Sequence, residues 1–596
     1  MSTPVAYVFR GCLIYVFRVI FMMFSTVSPS SSSSSSQSSQ PSWQGDTPQK
    51  NTSPNAQNPQ EGTLSREEAT ALLSVAQQTT QALEAQTTRV KNLLSTDPSM
   101  PTHTTGETPP LTPLAQKPWS SLRLFLLVVG MVGIQFAWSI QISHTATITE
   151  PLGADPLMQS LIWWAGPITG LIVQPTVGAI SDKLWLKGLG RRTPFMLIGT
   201  LVLAWALFQL PFSQTLLQAT LMICLMDTFV NTSQGPYRAL IPDIVPESQS
   251  ALGNSWYNLA VGLGSVLAFG FPALARILGF ELSVTQQCHI ASGVLLVMMA
   301  LSMFATQEYR TWYEKNPSAS SPLALAQSTQ TSQTSNPLKA FLEAPKPIHH
   351  IAWMTVFMWM GLFSLFIYLT PYVQHHIFEV PDLANPHLKS LLAQAETYKQ
   401  ASASVLSTLP TTLQMAIGWL KNQARGAEVA QLGMMCFNLV SMVLALPLGK
   451  MAERFGAKPV LTAALGCMAV AFMATPFIHT SEALWGVTAL CGVAWGAILS
   501  LPFSMMAPYL PKGQEGKILG VYNIFICVPQ LIISFIVGNV VKFMPYTLPN
   551  GYSTYNYSMV FVIGIIPLVI AMFLTQKVAE KKGTEKDTSL AFHAGH

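Results

Sequence analysis

A single acidic residue, Asp227, lies near the middle of a long apolar run, and polar side chains follow it at helical spacing. Asn231 and Gln234 come one and two turns later. Arg238 lies eleven residues on, about 20° past three full turns and about 16 Å along a helix axis. If this run crosses a membrane, placing a carboxylate there costs about 2.5–3.5 kcal/mol, and such a residue marks a functional site by default. Because burial disfavours the ionised form, Asp227 could take up a proton on one side and release it on the other, with Arg238 stabilising the ionised form. The pattern predicts proton coupling through Asp227 and Arg238. The alternative is a structural carboxyl group satisfied by Asn231 or by a neighbouring helix.

The composition supports a membrane setting for this run. Only 10% of the 596 residues are charged, half are apolar and the mean hydropathy is +0.37, whereas about 25% charged residues is usual for soluble proteins. This excludes a nucleic-acid binder, a mostly disordered chain and most soluble enzymes. Runs of about 20 apolar residues, each long enough to cross a hydrocarbon core of about 30 Å, predict an all-α membrane protein with twelve transmembrane helices. The predicted spans are 120–143, 157–180, 194–212, 216–240, 252–275, 288–306, 351–373, 429–449, 459–478, 484–508, 518–540 and 557–576.

The segments outside these spans divide the chain into regions. Residues 1–118 are predicted to form a disordered, cytoplasmic segment rich in Ser, Thr, Gln and Pro, with a short helix possible after Ser65 and with an apolar stretch at 11–27 of uncertain role. The remaining predicted regions are a six-helix half at 119–306, a cytoplasmic linker at 307–350, a six-helix half at 351–577 with an extracytoplasmic insertion at about 380–428, and a cytoplasmic tail at 578–596.

Lysine and arginine concentrate in alternate loops, which sets the orientation of a multi-pass protein. The basic loops follow the second, eighth and tenth spans, and the tail is basic too, so both termini are expected in the cytoplasm; the long 380–428 segment is the exception. The seven cysteines show no disulfide or metal spacing and are expected to be buried free thiols.

Two loops carry the same residues in the same order. Gly178 and Asp182 are followed by Arg191 and Arg192 after the second span, and the second set lies 271 residues later, glycine to glycine and acid to acid. That second set is Gly449, Glu453 and Arg454. Such duplication is typical of transporters that rock two halves around a central site. We interpret both sets as a conformational latch, in which the glycine allows close helix approach and the acid pairs with basic residues. The alternative is a purely topogenic positive charge.

At these residues the chain resembles the major facilitator superfamily, and within it the sucrose–proton symporters of the glycoside–pentoside–hexuronide:cation symporter type. The resemblance covers about 120–580 and is carried by 133–143, 166–182, 190–195 and 227–240, with looser matches at 501–503 and 520–530. It implies two pseudo-symmetric six-helix halves and proton-driven sugar uptake, with the family's functional Asp and Arg of the fourth helix at Asp227 and Arg238. The 380–428 insertion, the polar N-terminal segment and His144 depart from the family pattern.

Aromatic and amide side chains in several spans are candidates for sugar binding. Spacing by three or four places these residues on shared helix faces, although helix packing is an alternative for each. The candidates are Gln135, Trp138 and Gln141 in the first span, Asn231 and Gln234 in the fourth, Asn254 and Asn258 in the fifth, and more weakly Trp495 and Asn523. Three histidines near span ends are expected to be interface residues rather than a proton relay: His144, His289 and His479.

These observations predict a monomeric, multi-pass plasma-membrane protein (inner-membrane if bacterial) that imports a disaccharide, sucrose or a related glucoside, by proton symport. We expect no cofactor besides the coupling proton, no bound metal and no nucleic-acid partner. Two alternatives stay open. The same fold could carry a monosaccharide or another small polar solute, or act as an antiporter; or the chain could be a non-transporting sensor. An intramembrane enzyme is disfavoured because the spans contain no nucleophile–base pair and no two-acid motif.

Overall fold

A computed structural model describes residues 119–184, 186, 189–246, 249–306, 337–399, 401–511 and 514–579. The predictions for residues 1–118 lie outside these ranges, as do those for most of the 307–350 linker and of the C-terminal tail. The described residues are almost entirely helical, as the sequence predicts, with one short β-hairpin.

The first half contains seven helices. Serine, threonine and aspartate side chains cap several of their N-termini, because these residues satisfy backbone N–H groups that lack helical partners: Ser120, Asp155, Thr215 and Ser283 all do so. The helices are α1 (Ser121–Thr149), α2 (Pro156–Ile162), α3 (Ala165–Lys183), α4 (Thr193–Gln209), α5 (Leu216–Ile244), α6 (Ser250–Ile277) and α7 (Val284–Ala305).

The second half begins with a short helix inside the predicted linker and ends before the tail. Its helices are α8 (Pro337–Leu342), α9 (Lys346–Tyr372) with a π-helical turn at Val373–Ile377, α10 (Lys389–Tyr398), α11 (Ala403–Leu406), α12 (Thr411–Phe455), α13 (Ala457–Ala474), α14 (Ser481–Met506), α15 (Glu515–Tyr522), α16 (Ile524–Lys542) and α17 (Ser558–Lys577). Strands β1 (Pro545–Thr547) and β2 (Ser553–Tyr555) pair antiparallel, with Tyr546 opposite Thr554.

Helix packing follows the same plan in both halves. In the first half α1 packs on α6 and α7, α4 packs on α5 and α7, and α3 packs on α5. In the second half α9 packs on α16 and α17, α13 packs on α14 and α17, and α12 packs on α14. The main contacts between halves are α6 with α12, and α16 with α2 and the α3 helix that follows it; the same correspondence exchanges α6–α12 with α16–α3. This confirms the predicted pair of pseudo-symmetric helical halves.

Eleven helices in the described ranges are long and apolar enough to span a membrane, one fewer than the sequence predicts. The helix that does not qualify is α5, which carries Asp227. Its 29 residues extend about 44 Å, enough to cross, but its polar residues lower its hydropathy. Because α5 holds the position in the first half that α14 holds in the second, the packing supports α5 as the twelfth span, which stays a prediction.

The predicted insertion at 380–428 is largely helical. It contains α10, α11 and the beginning of α12, which runs unbroken from Thr411 to Phe455 instead of starting at 429. The helix continues because residues 411–428 contain strong helix formers, despite the charges of Lys421 and Arg425 that ended the apolar pattern. Together with the β-hairpin these residues form a cap, which we define as 380–428 and 545–555. Trp419 of α12 contacts Tyr552 of the hairpin edge-to-face at 4.6 Å in its small core.

The bundle has two ends, which we name by residues. At the Glu150 end lie the end of α1, the start of α2 and the cap; at the Arg191 end lie the α3–α4 turn and the junction of α12 with α13. The distribution of basic residues predicts that the Arg191 end faces the cytoplasm.

Candidate functional site

Helices α3 and α5 pack closely because α3 presents small residues to the polar face of α5. A methyl group built on Gly166 would lie 3.9 Å from Asp227 Oδ2, and one on Gly170 would lie 3.9 Å from Asn231 Oδ1. One turn on, Gly235 of α5 lies against the backbone of Gln174. Glycines at this spacing allow close helix approach, so the carboxyl and amide groups of α5 are held between helices instead of facing lipid.

Asp227 is buried, with 6% of its surface exposed. Gln141 Nε2 of α1 donates a hydrogen bond of 2.9 Å to Asp227 Oδ1. A donor from a second helix stabilises a buried carboxylate, which would otherwise be strongly disfavoured in such a setting. Two residues that the sequence proposed separately, one for coupling and one for substrate binding, are therefore in direct contact.

Asn231 is fixed by a separate network. Its Nδ2 donates to Thr169 Oγ1 at 3.0 Å and to the backbone oxygen of Asp227 at 2.8 Å, and its Oδ1 accepts from Gln174 Nε2 at 2.7 Å. With these bonds the Asn231 side chain is engaged away from the Asp227 carboxylate. The structural alternative named Asn231 or a neighbouring helix as the group that satisfies the carboxyl. Asn231 does not bond to the carboxylate, but Gln141 of the neighbouring helix α1 does, so the neighbouring-helix alternative fits this contact as well as proton coupling does.

Trp138 is the one exposed position in the buried part of α1. Every residue from Leu127 to Thr147 is buried except Trp138, which is 37% exposed. Because α1 packs against α4–α7 of its own half and against α9 and α12 of the other, this open position faces a space between helices. Trp138 lies one turn from Gln141. Gln135, one turn earlier, is buried against Gly264 of α6.

The remaining first-half candidates are more dispersed. Arg238 is exposed, with its guanidinium 5.5 Å from the centre of the Tyr257 ring on α6, and the structure does not bring it to Asp227. Gln234 and Asn254 are half-buried, and Asn258 is exposed. Asn258 lies one turn before Gly262, which packs against Met442 of α12, so Asn258 stands on the face of α6 that looks toward the second half.

The second half contributes an aromatic cluster to the interior. Trp495 of α14 stacks with Phe437 of α12 at 5.9 Å and meets Trp359 and Phe366 of α9 edge-to-face. Trp495 is half-buried, so part of its ring is open. Asn523, the other weak candidate, lies at the break between α15 and α16, where it is the N-cap residue of α16 without a side-chain capping bond.

The basic pair of the predicted latch is engaged within the first half. Gly190 adopts a positive φ of 77° in the turn that presents both arginines. Arg191 Nη2 and Arg192 Nε lie 2.7 and 3.0 Å from Asp243 Oδ2 at the end of α5, and Arg192 also donates to Ser181 Oγ. Asp243, which was not among the residues predicted for the latch, is thus an acid that pairs with both arginines. The side chain of the predicted acid, Asp182, is outside the described part.

The second latch set lacks this arrangement. Glu453 and Arg454 are exposed and, in the described part of the chain, form no ion pair, although Arg454 lies over the Phe455 ring. A methyl group on Gly178 or Gly449 would meet no described atom within 4 Å. The close helix approach expected at these glycines is absent in this conformation, and the latch in another conformation stays a prediction.

The two halves are joined at the Glu150 end by a set of contacts that we call the seam. His375 Nε2 lies 3.0 Å from Glu150 Oε1, Lys542 Nζ lies 2.9 Å from Asp155 Oδ2, and Arg276 pairs with Glu428. Further hydrogen bonds cross between the halves: Gln374 Nε2 donates to Thr147 Oγ1 at 2.9 Å, Tyr368 OH to the backbone oxygen of Pro156 at 2.9 Å, and Trp164 Nε1 to Ser534 Oγ at 2.8 Å. The structure is therefore closed at this end.

The buried charges of the seam extend into the cap. His375 Nδ1 faces the backbone oxygen of Val380 at 2.6 Å while Nε2 faces Glu150, so both ring nitrogens face acceptors and the ring fits its charged form. Glu150 Oε1 also accepts from the backbone N–H of Leu383. Burial, and then the nearby Glu150 carboxylate, raise the pKa of Asp382 in the cap to about 6.

A third polar cluster, which we call the α1–α7–α12 triad, consists of His144, Gln287 and Gln431. His144 Nε2 lies 2.8 Å from Gln287 Oε1, and Gln431 Nε2 lies 3.1 Å from the same oxygen. All three residues are buried, so His144 does not lie at the membrane–water interface, where a histidine near the end of a span was expected. His289 stacks on Phe208 and His479 is exposed.

Two pseudo-symmetric helical halves that enclose a buried carboxylate, an amide network and an open tryptophan define the class of secondary membrane transporters. The family model described as Major Facilitator Superfamily matches residues 124–420 and 400–593, and the chain belongs to this family. Membership confirms a multi-pass membrane protein of a transporter family rather than an enzyme.

Individual relatives and structures agree with this assignment. The chain is 27% identical over 491 residues to the general alpha-glucoside permease of Schizosaccharomyces pombe, covering 71% of this chain and 87% of the relative. It is 34% identical over 183 residues to the sucrose transport protein SUT4 of Oryza sativa subsp. indica, covering 27% of this chain and 31% of the relative. The crystal structure of the nucleoside transporter NupG aligns with a TM-score of 0.52 at 14% identity, covering 77% of this chain and 99% of that chain, which shows the fold alone.

Proposed function

We propose that the protein is a secondary active transporter that couples uptake of a disaccharide, sucrose or a related glucoside, to proton movement by alternating access. The observation that carries the proposal is the bond from Gln141 to the buried Asp227 carboxylate, one turn from the open face of Trp138. A titratable group and hydrogen-bonding and stacking groups for a sugar thus share one place in the bundle. The names of the alpha-glucoside permease and the sucrose transport protein support a sugar as the cargo.

Gln141 can couple protonation of Asp227 directly to sugar binding. An ionised Asp227 accepts only, so Gln141 turns its Nε2 toward the carboxylate and leaves Oε1, which has no partner among the described residues, for another donor. A protonated Asp227 would instead donate to Oε1, which turns the amide over and presents Nε2 as a donor. Protonation of Asp227 therefore reverses the hydrogen-bonding character that Gln141 offers a sugar hydroxyl, and the two ligands become thermodynamically linked.

The other predicted residues take supporting roles in the proposal. Asn231 and Gln234 line the site on α5, Asn254 and Asn258 line it on α6, and Gln135 positions α1 against α6. Arg238 stands between the site and the Arg191 end. It does not contact Asp227 in this structure, and in the proposal it stabilises the ionised form in other states of the cycle, during proton release.

We further propose the setting in which the transporter works. It is a monomer in the plasma membrane, or the inner membrane if bacterial, with both termini cytoplasmic and the regions divided as the sequence predicts. The proton is its coupling ion and it needs no other cofactor. With the Arg191 end cytoplasmic, the structure is closed toward the outside, and the seam must separate for sugar to enter from there.

The test is uptake into proteoliposomes with an imposed pH gradient, over sucrose, maltose, trehalose and glucose. Asp227→Asn keeps the size of the side chain and its ability to accept from Gln141 but cannot ionise. It should abolish uphill accumulation while leaving exchange of labelled for unlabelled sugar measurable. Glu482→Gln, an acid-to-amide change at an exposed position in the first turn of α14, is the matched control and should accumulate sugar normally.

Two results would contradict the proposal. Full accumulation against a gradient by the Asp227→Asn protein would exclude this carboxyl group as the coupling site. Absence of sugar-dependent proton movement across the whole panel in the wild-type protein would exclude proton–sugar symport and favour another solute or a sensor.

A further inference from the structure

Some polar atoms of the α1–α7–α12 triad take part in none of the hydrogen bonds within it. Gln287 Nε2 donates to the backbone oxygen of Leu282 at 3.1 Å, which fixes Gln287 Oε1 toward His144. Gln287 Oε1 can only accept, and its 2.8 Å contact with His144 Nε2 is shorter than the 3.2 Å from Gln431 Nε2 to the same ring nitrogen. We therefore assign the proton to His144 Nε2, and Gln431 Nε2 then donates to Gln287 Oε1 at 3.1 Å. The orientation of all three side chains follows from this one anchoring bond.

Two acceptors of the triad then have no donor. In the neutral tautomer His144 Nδ1 is a bare acceptor, and both it and Gln431 Oε1 are buried with no hydrogen-bond partner in the described part of the chain. His144 and Gln431 are each only 1% exposed. A buried acceptor without a donor is unfavourable by about 1–3 kcal/mol, so two in one cluster point to a ligand that brings donors.

The triad is also placed where such a ligand would pass. His144 follows Gln141 by three residues on α1, about 4.5 Å further toward the Glu150 end. Gln431 belongs to α12 of the second half, whereas His144 and Gln287 belong to the first. Separation of the seam therefore opens the triad itself and turns its free acceptors toward a solute entering from the Glu150 end.

We propose that His144 Nδ1 and Gln431 Oε1 form a subsite for hydroxyl groups of the second sugar ring, next to the ring held near Asp227. This inference rests on the proposed function and adds to it a specificity-determining pair. A donor-rich, uncharged polyol fits two acceptors of this kind, and one sugar ring spans the step between Gln141 and His144. The subsite would distinguish a disaccharide from a single glucoside ring.

Two substitutions of His144 separate this role from a structural one. In His144→Gln, the amide nitrogen reaches the place of Nε2, so the bond to Gln287 is kept while the acceptor at Nδ1 is lost. In His144→Asn, the shorter amide can place its oxygen where Nδ1 was, so the acceptor is kept while the bond to Gln287 is lost. Uptake kinetics in proteoliposomes are measured for maltose or sucrose and for methyl α-glucoside, which has one ring.

The proposal expects His144→Gln to raise the KM for the disaccharide about five- to tenfold, as loss of one neutral hydrogen bond does. The maximal rate and the KM for methyl α-glucoside should stay within about twofold. His144→Asn should remain close to wild type for both sugars, and Gln431→Met should repeat the His144→Gln pattern.

The opposite order, with His144→Asn impaired and His144→Gln normal, would show that His144 only anchors Gln287 and would overturn the subsite. An unchanged disaccharide KM in both His144→Gln and Gln431→Met, or equal KM increases for one-ring and two-ring sugars, would overturn it as well. If wild-type protein takes up no sugar at all, the proposed function itself fails, which is a different result from wild-type uptake with insensitive variants.

Discussion

The buried ion pair between Glu150 and His375 should control the opening of the Glu150 end far more strongly than the exposed pair between Lys542 and Asp155. We compare His375→Leu with Lys542→Leu, which each remove the cation of one seam pair. The distances are nearly equal, 3.0 and 2.9 Å. The exposures are not: the His375 and Glu150 side chains are 1% and 4% exposed, against 37% and 23% for Lys542 and Asp155.

Burial decides the magnitude. Removing one partner of a buried ion pair leaves the other charge uncompensated, at about 3–5 kcal/mol, and this penalty applies only while the seam is closed, because water reaches Glu150 once it opens. His375→Leu should therefore shift the open-to-closed ratio about a hundred- to a few-thousand-fold. Asp155 is already partly hydrated, so Lys542→Leu should shift it by less than about fivefold.

Pulsed electron paramagnetic resonance between spin labels at positions 214 and 482 measures this ratio. Both are exposed positions at the Glu150 end, in opposite halves, and native cysteines are replaced in the background protein. His375→Leu should move most of the distance distribution to longer values, while Lys542→Leu leaves it largely unchanged. Equal distributions for the two variants would refute the reasoning that burial, more than distance, sets the strength of the seam.

Two further predictions concern the stability of the folded protein. Asp243→Asn should lower the free energy of unfolding of the purified protein by about 2–3 kcal/mol, because two mostly buried guanidinium groups share this carboxylate. Glu453→Gln changes an exposed acid of the second half and should leave the stability unchanged. A similar loss in both variants would contradict the assignment of Asp243 as the partner of the two arginines. Asp382→Asn should stabilise the protein at pH 7.5 by up to about 3 kcal/mol but not near pH 4. The pKa of Asp382 is raised to about 6, so the wild-type protein loses stability as pH rises from about 4 to 6. An equal stability difference between Asp382→Asn and wild type at both pH values would refute this prediction.

The sequence predicts the architecture well because lipid imposes a simple pattern. Apolar runs, basic loops and the 271-residue repeat are sufficient for an all-helical bundle of two similar halves, and a lone acid among apolar residues identifies Asp227. The start of α12 could not be predicted in the same way, since hydropathy shows where a helix leaves the hydrocarbon core of the membrane and not where the helix itself begins. Residues 411–428 mix apolar and charged residues and are still helical.

The contacts between helices were the part that the sequence could not provide. Trp138 and Gln141 were selected from their spacing, but that Gln141 reaches Asp227 depends on how α1 crosses α5. Asp243 was missed because its partners, Arg191 and Arg192, lie on another helix, and the nearer Asp182 was preferred. Gln287 and Gln431 gave no signal as single amides in apolar helices. Gln431 lies within the predicted span 429–449, but Gln287 lies just before the span 288–306, so the sequence did not connect them.

The unbroken length of α12 has a mechanical consequence. Its 45 residues extend about 68 Å, roughly twice the hydrocarbon thickness. Its first turns lie beyond Gln423, which contacts Thr147 of α1, and belong to the cap. A rigid rod of this kind acts as a lever: each 10° rotation of the second half displaces a point about 35 Å from the pivot by about 6 Å. Small tilts of the transmembrane helices therefore produce larger displacements of the cap. A molecule bound to the cap from outside would act on the transport cycle at long range.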